Sequence, residues 1–425
     1  MTNRFFESIT PKTTPILSLA AMVVASNILT TGIANAAPTN EELWKIIQEQ
    51  EAEIEALKKE QGETSESLAI TEERLNATAD AIDQGGASGS LSKSLEWAEK
   101  TRIGGYTEHH FNNFQGSDND EVDAHRFVLY VNHEFNNNVR LFTEFELEHS
   151  LAGDGAPGEV ELEQAYIEWD FAQNHSLAAG LFLIPVGIIN ETHEPNTFYG
   201  VERNRVEGDI IPTTWWETGV MFSGDLAPGV SYNFAMHSGL NNENADIRSG
   251  RQKSAQATAN DFAYTGRIKY TAIPGLELAA TLQYQEDLNQ SIGESLPAIL
   301  TEFHAVYNTG KFGLRALWAQ WDIDGDFSEG FINSDGNFTE DFIGRDQQNG
   351  WYIEPSYKIL DNVGVFLRYS ERNEFAGLNG REDLEVTDIG VNYWLTPGVV
   401  FKADYQDDQS SNNNDSFNLG VGWSF

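Results

Sequence analysis

Apolar and polar residues alternate with a period of two along most of the chain, from about residue 95 to its end. We identify sixteen such segments, each of roughly ten residues, the length of a membrane-crossing strand. Transmembrane β-strands have this pattern because one side chain in two faces lipid and the next faces the lumen. In residues 139–149, for example, Leu141, Phe145 and Leu147 alternate with Arg140, Glu144 and Glu146.

The connections between these segments alternate in length. Seven are short, such as residues 136–138 and 396–398, and between them fall eight long polar connections, such as residues 185–214. Transmembrane barrels have short periplasmic turns and long outer loops, whereas a soluble sandwich or propeller has no reason to sort its loops in this way. The pattern therefore predicts an all-β transmembrane barrel of about sixteen antiparallel strands over residues 95–425.

The last ten residues form one of the clearest segments. Phe417, Leu419, Val421, Trp423 and Phe425 alternate with small or polar residues, and the chain stops on an aromatic residue. This end resembles the C-terminal signal of bacterial outer-membrane barrels. The resemblance implies that Trp423 and Phe425 are read by the barrel assembly machinery and that the barrel lies among outer-membrane lipids. Taken with the fifteen segments before it, the last strand must pair with the first, near Ile103, to close the wall.

Composition removes several classes of protein. The formal net charge of -40 argues against a nucleic-acid partner. The absence of Cys rules out disulfides and lipoprotein acylation. Rows of lumen carboxylates arise from strand patterning alone, and no nucleophile elbow or zinc-binding helix motif is present. We expect no enzyme activity; an outer-membrane hydrolase would need a Ser–His pair that we cannot place.

The first 36 residues read as a secretory signal peptide. A weakly basic stretch precedes an apolar run at residues 15–33, and Ala34-Asn35-Ala36 is a small-x-small cleavage pattern. A retained N-terminal anchor is the alternative. Cleavage after Ala36 would start the mature chain at Ala37 and direct it through the periplasm.

Residues 37–83 repeat in heptads. Steps of alternately four and three residues place aliphatic side chains at one set of positions, including Ile47, Ile54, Leu68, Leu75 and Ile82. Such a heptad predicts a periplasmic α-helical coiled coil before the barrel, most naturally a trimer, with a single solvated helix as the alternative. A Gly/Ser-rich linker follows at residues 84–94.

Three consecutive segments carry a family resemblance. Residues 140–148, 162–169 and 179–187 resemble consecutive strands of the porin O and P family, known for phosphate-selective members. The resemblance implies sixteen strands, a homotrimer and a water-filled channel for passive diffusion of small polar or charged solutes, possible anions being phosphate and dicarboxylates. A coiled coil is also found in related trimeric porins. The alternative is a structural or adhesive barrel with little conductance.

The third long connection, residues 185–214, corresponds to the loop that folds into the lumen in related porins. We hypothesise that its Arg203 and Arg205 project into the constriction, since rings of basic side chains pass anions. The alternative is that each lumen arginine pairs with a wall carboxylate and serves structure. Other lumen-side residues expected to line the pore are Arg126, Arg140, Arg267, Lys269, Arg315, Arg368, Arg372, Lys402, Glu144 and Glu146.

One acidic loop resembles the start of a calcium loop. Asp322, Asp324 and Asp326 have the right spacing, but Gly325 comes too early and Asn333 replaces the closing Glu. We therefore expect loose Ca²⁺ binding at most, and no cofactor.

Overall fold

The computed structural model describes residues 95–115, 120–242, 245–290, 295–325, 327, 331–332, 338–339, 343–409 and 415–425. The predicted signal peptide, coiled coil and linker lie outside these residues and stay predictions. In the described part of the chain, no helix is both long and apolar enough to cross a membrane.

Sixteen strands close into one antiparallel barrel, in which each strand pairs with its neighbours in the chain. All sixteen predicted segments coincide with barrel strands. Two further strands, β12 (Phe331–Ile332) and β13 (Phe338–Thr339), pair with each other outside the barrel. The barrel strands are β1 (Thr101–Phe114), β2 (Glu121–Asn136), β3 (Val139–Glu148), β4 (Val160–Ala172), β5 (His175–Leu183), β6 (Trp216–Ala227), β7 (Val230–His237), β8 (Ala263–Tyr270), β9 (Leu276–Gln285), β10 (Ala298–Thr309), β11 (Phe312–Ile323), β14 (Gln347–Leu360), β15 (Val363–Asn373), β16 (Leu384–Thr396), β17 (Val399–Asp408) and β18 (Ser416–Ser424).

The last strand closes the wall against the first. β18 pairs with β1, with Ser424 opposite Tyr106. Phe425 continues this pairing, since its N–H donates to the Gly105 carbonyl at 3.0 Å and the Gly105 N–H donates to the Phe425 carbonyl at 3.1 Å. A Cβ on Gly105 would lie 2.1 Å from the Val128 carbonyl oxygen, so only glycine fits here. The predicted pairing of the two ends is confirmed.

The two faces of the wall differ in chemistry as the alternation predicts. Phe145, Leu282 and Phe401 are exposed on the outside, where a bilayer would cover them. Glu144 and Lys402 point into the barrel and are buried. Charged side chains belong on this inner face because Arg or Lys at mid-bilayer on the lipid face costs about 2–4 kcal/mol.

The segment between β5 and β6, residues 184–215, lies inside the barrel, where inner-face side chains of several strands donate hydrogen bonds to it, and we call it the inward loop. Its one helical element, the π-helix Val206–Ile210, packs against the wall at Leu317 and Trp321. The Trp321 indole N–H also donates to the Ile210 carbonyl at 2.9 Å. Burying each large apolar side chain stabilises the loop by roughly 1.5–3 kcal/mol. The longest connection is therefore part of the folded barrel.

Candidate functional site

Four of the predicted lumen cations hold the inward loop in place. Each lies on a wall strand and donates a hydrogen bond to a backbone carbonyl of the loop. Because these residues come from β2, β11, β15 and β17, the loop is attached on several sides of the lumen. The distances are 2.6 Å from Arg126 to His193, 2.7 Å from Arg315 to Thr197, 3.4 Å from Arg368 to Tyr199 and 2.8 Å from Lys402 to Gly200.

In the described part of the chain, six of the eight predicted lumen cations on the wall have carboxylate partners, and Arg315 and Lys402 do not. Arg126 is buried and its Nε lies 2.5 Å from Glu108, while Arg368 lies 2.9 Å from Asp388 and 3.2 Å from Glu354. Such charges are neutralised locally and offer little to a passing ion. The same holds for Arg140 with Glu168 and Asp170, Arg267 with Glu191, Lys269 with Glu277, and Arg372 with Asp209.

A carboxylate-lined part of the wall faces the loop on β3 and β4. Glu144, Glu146 and Glu163 are all buried on the inner face. His193 of the inward loop lies 3.4 Å from both Glu144 and Glu163. Burial alone would lower the pKa of His193, but the two carboxylates raise it to about 10. The imidazolium therefore serves as a further tie between loop and wall.

The two arginines predicted to enter the constriction have different partners. Arg205 is exposed and lies 3.1 Å from Asp209, one turn along the chain. Arg203 is half-buried and donates to the Thr214 hydroxyl at 3.2 Å. Among the described residues, no carboxylate forms an ion pair with Arg203, which leaves its charge available to the lumen.

Two further arginines join Arg203 from the fourth long loop, residues 238–262. Arg248 donates to the Thr213 carbonyl at 2.8 Å, and Arg251 donates to the Thr214 carbonyl at 2.5 Å. Neither has an ion-pair partner in the described part of the chain. We call Arg203, Arg248 and Arg251 the arginine triad. The sequence analysis missed Arg248 and Arg251 because it assigned their loop to the outer surface; two arginines three residues apart were the available signal.

The triad has an unfavourable electrostatic environment of its own. Loss of hydration lowers the pKa of all three guanidinium groups. Neighbouring arginines lower it further, whereas nearby carboxylates, such as Asp209 for Arg248 and Glu161 for Arg251, raise it. For Arg251 the pKa falls to about 10. The groups stay protonated at neutral pH, since even this value lies well above it. An anion bound among them would relieve the repulsion.

A cavity of about 820 Å³ opens beside the triad at the end of the barrel that carries the long loops. We call it the loop-end cavity. Two cavities of about 780 and 670 Å³ open at the opposite end, beside the short turns. The charged side chains that line the loop-end cavity are Arg203, Arg205, Arg248, Arg372 and Arg381, with Glu108, Glu121, Asp123, Glu202 and Asp408.

The predicted calcium ligands are only partly described. The Asp322 carboxylate accepts hydrogen bonds from the side chains of Gln320 and Gln347, at 2.9 Å and 3.1 Å. Asp326 lies outside the described residues. The loose calcium site stays a prediction.

Comparisons with known proteins agree with this geometry. A family model described as phosphate-selective porin O and P matches residues 103–418. An uncharacterized protein of Aquifex aeolicus (strain VF5) is 28% identical over 369 residues, which is 80% of this chain and 83% of that protein.

Several solved structures have a similar fold. OmpF of Salmonella typhi, in complex with daunomycin, has a TM-score of 0.54 at 14% identity and covers 76% of this chain and 97% of its own. An anion-selective porin from Comamonas acidovorans has a TM-score of 0.52 at 10% identity, covering 76% and 99%. In vitro folded OmpT of Vibrio cholerae, in a trimer form, has a TM-score of 0.50 at 11% identity, covering 76% and 99%. At these identities the likeness is one of fold.

Proposed function

Because the chain belongs to the phosphate-selective porin O and P family, we propose that the channel it forms in the outer membrane prefers anions. Family and barrel fold together indicate an outer-membrane channel rather than an enzyme. The preference for anions is the step beyond family and fold. It concerns which charges a solute meets as it passes the inward loop.

The observation that carries the proposal is the arginine triad. Three guanidinium groups converge on Thr213 and Thr214 and donate to neutral oxygens. Most wall cations, by contrast, are matched by carboxylates. In a site of effective dielectric constant near 20, an unmatched charge 8 Å from an ion attracts it by about 2 kcal/mol before salt screening. The triad thus favours anions at the inward loop.

The geometry suits small oxyanions best. A guanidinium group donates two parallel hydrogen bonds to a carboxylate or phosphate, and two or three such groups match a divalent anion. Phosphate and dicarboxylates both have this chemistry. We propose that such anions enter through the loop-end cavity and diffuse passively past the triad to the turn end.

The assembly around the pore is also proposed. A homotrimer is supported by the family resemblance, by the heptad pattern of residues 37–83 and by the barrel likeness to the trimer form of OmpT. Short turns face the periplasm in barrels of this class. The N-terminal coiled coil, behind a cleaved signal peptide, would then lie in the periplasm on the same side as Phe425.

Reversal potentials across a planar bilayer in a salt gradient test the proposal. The wild-type channel should show anion preference, and the triple variant R203Q/R248Q/R251Q should lose it, by about fivefold in permeability ratio for each charge if screening leaves roughly 1 kcal/mol per charge. R140Q, which removes a paired arginine at the turn end, is the matched control and should keep the wild-type value.

Two outcomes would overturn the proposal. Clear cation preference in the wild type, unchanged in the triple variant, would show that the triad does not set selectivity. An absence of conductance from folded trimers would favour the structural or adhesive barrel.

A further inference from the structure

One carboxylate and two imidazoles meet at the wall of the loop-end cavity, on the β2–β3 side. The Asp123 Oδ2 atom lies 3.0 Å from His125 Nδ1 and 2.8 Å from His149 Nδ1. One potential ligand atom from each residue lies within 4.8 Å of the other two. All three side chains line the cavity. We propose that Asp123, His125 and His149 bind a divalent transition-metal ion, with Zn²⁺ as the representative case.

A β-bulge brings the first two ligands to the inner face. Glu108 of β1 is opposite Arg126, but His110 is opposite Asp123, so β2 has one residue more than β1 at this point. Without that extra residue, the alternation that puts Arg126 inside would turn Asp123 and His125 toward lipid. The bulge therefore reverses the facing of the upper end of β2.

The backbone also places the third ligand. His149 follows the last residue of β3 and has φ of 49°, a left-handed conformation that residues other than glycine seldom adopt. Its N–H donates to the His125 carbonyl at 3.0 Å. This bond joins the two histidine backbones and keeps both imidazoles beside Asp123.

The neighbouring groups support a rigid site. The His110 ring stacks on His125 with centroids 4.5 Å apart. His110 is itself fixed, since its nitrogens lie 3.0 Å from Glu202 and 3.4 Å from Glu108. His110 therefore limits rotation of the His125 ring while its own nitrogens are occupied. Ligands that are held before the metal arrives lose less entropy on binding.

The donor set selects the kind of ion. Two imidazole nitrogens and one carboxylate oxygen suit Zn²⁺, Cu²⁺ or Ni²⁺, whereas Ca²⁺ and Mg²⁺ take oxygen ligands. Three protein ligands leave a fourth position for water, as in open zinc sites. The side chains of His125 and His149 are 32% and 31% exposed, so an ion in the cavity can reach them.

Binding should change what the cavity does to permeant ions. A bound ion adds two positive charges to the wall of the cavity that Arg203 and Arg205 also line. We expect bound Zn²⁺ to shift the reversal potential further in the direction of anion selectivity. This expectation rests on the proposed anion preference. The binding site itself does not depend on that preference.

Binding is tested first, on the full-length protein purified in detergent. Calorimetric titration with Zn²⁺ should show one site per chain that excess Ca²⁺ does not occupy, and H125Q, H149Q and D123N should each weaken it at least about tenfold. With Cu²⁺, electron paramagnetic resonance should show coupling to two imidazole nitrogens in the wild type and to one in H149Q. H175Q, which changes a histidine beside a short turn, is the matched control. Each variant is first checked for heat-modifiable migration.

The outcomes separate site and effect. Equal Zn²⁺ affinity in the wild type, H125Q and H149Q, or no binding at all, would overturn the site. Coupling to a single nitrogen, unchanged in H149Q, would instead point to Glu144, Glu163 and His193. Zn²⁺ binding that leaves the reversal potential unchanged would overturn the effect on selectivity and leave the site standing.

Discussion

The wall arginines and the arginine triad are the same residue type in opposite electrostatic situations. Arg126, Arg368 and Arg140 each lie directly opposite a carboxylate on a neighbouring strand, namely Glu108, Asp388 and Glu168. Directly opposite residues on one face have Cβ atoms about 5 Å apart, so these ion pairs follow from strand register. The triad comes from two loops, where no register supplies a partner. We therefore propose that these paired wall arginines maintain the structure, whereas the triad acts on permeating anions.

The largest expected effect tests the wall side of this comparison. R126Q takes from the buried Glu108 its closer ion-pair partner, leaving His110 at 3.4 Å, and removes the hydrogen bond to the His193 carbonyl. Breaking a buried pair from one side costs about 3 kcal/mol or more. The temperature at which the heat-modifiable form is lost should fall clearly for R126Q and hardly at all for R203Q. Similar losses in R126Q and R203Q would contradict the division between wall arginines that stabilise the barrel and triad arginines that do not.

The second test exchanges arginine for lysine on both sides. R203K and R248K keep the positive charges of the triad, so the reversal potential should stay within about twofold of the wild-type permeability ratio. R126K should remain destabilised, because lysine cannot reproduce the guanidinium contacts to Glu108, Tyr106 and His193. If R203K shifts the reversal potential as much as R203Q does, the guanidinium geometry of the triad, rather than its charge, sets the selectivity.

The third test measures stability at low pH and concerns Glu202, which precedes Arg203 in the inward loop. Burial alone would raise the pKa of Glu202, but His110 and Asn112 lower it to about 2. A depressed carboxyl pKa contributes stability above the unfolded value near 4.5, and this stability is lost as pH falls toward 2. Unfolding midpoints should therefore fall more steeply between pH 5 and 2 in the wild type than in E202Q. Parallel curves for the wild type and E202Q would show that Glu202 does not stabilise the attachment of the inward loop to the wall.

The smallest effect is expected at the turn end. Arg140 is paired with Glu168 and Asp170, but all three side chains are partly exposed, at 29%, 24% and 35%. Pairs that water reaches contribute about 0–1 kcal/mol. R140Q should change neither the unfolding midpoint nor the reversal potential beyond a small shift. A large loss of stability in R140Q would show that the contribution of a wall arginine to stability does not decrease with its exposure to water.

Sequence reasoning was most successful where a repeat carried the information. Sixteen segments, their facing and the pairing of the two ends all follow from a period of two and from the lengths of connections. It also placed Arg203 in the inward loop. It did not identify Arg248 or Arg251, because a loop of residues 238–262 has no period that relates it to another loop.

The Asp123 cluster shows the same limit at a single residue. Counting by twos along β2 from Arg126 puts His125 on the lipid face, and only the bulge puts it inside. A bulge depends on hydrogen bonds to the neighbouring strand, which local sequence does not specify.

The sequence alone determined that the chain forms a closed barrel wall with one face toward lipid. Alternate side chains of each strand face lipid and water, and this arrangement requires an alternation of apolar and polar residues that can be read along the chain. Only the tertiary structure decided which arginines are neutralised and where the inward loop lies. Those facts depend on contacts between residues far apart in the chain, such as Lys402 with Gly200 and Arg248 with Thr213. Electrostatic neutralisation falls off over a few ångströms, so it is settled by proximity in space rather than by order along the chain.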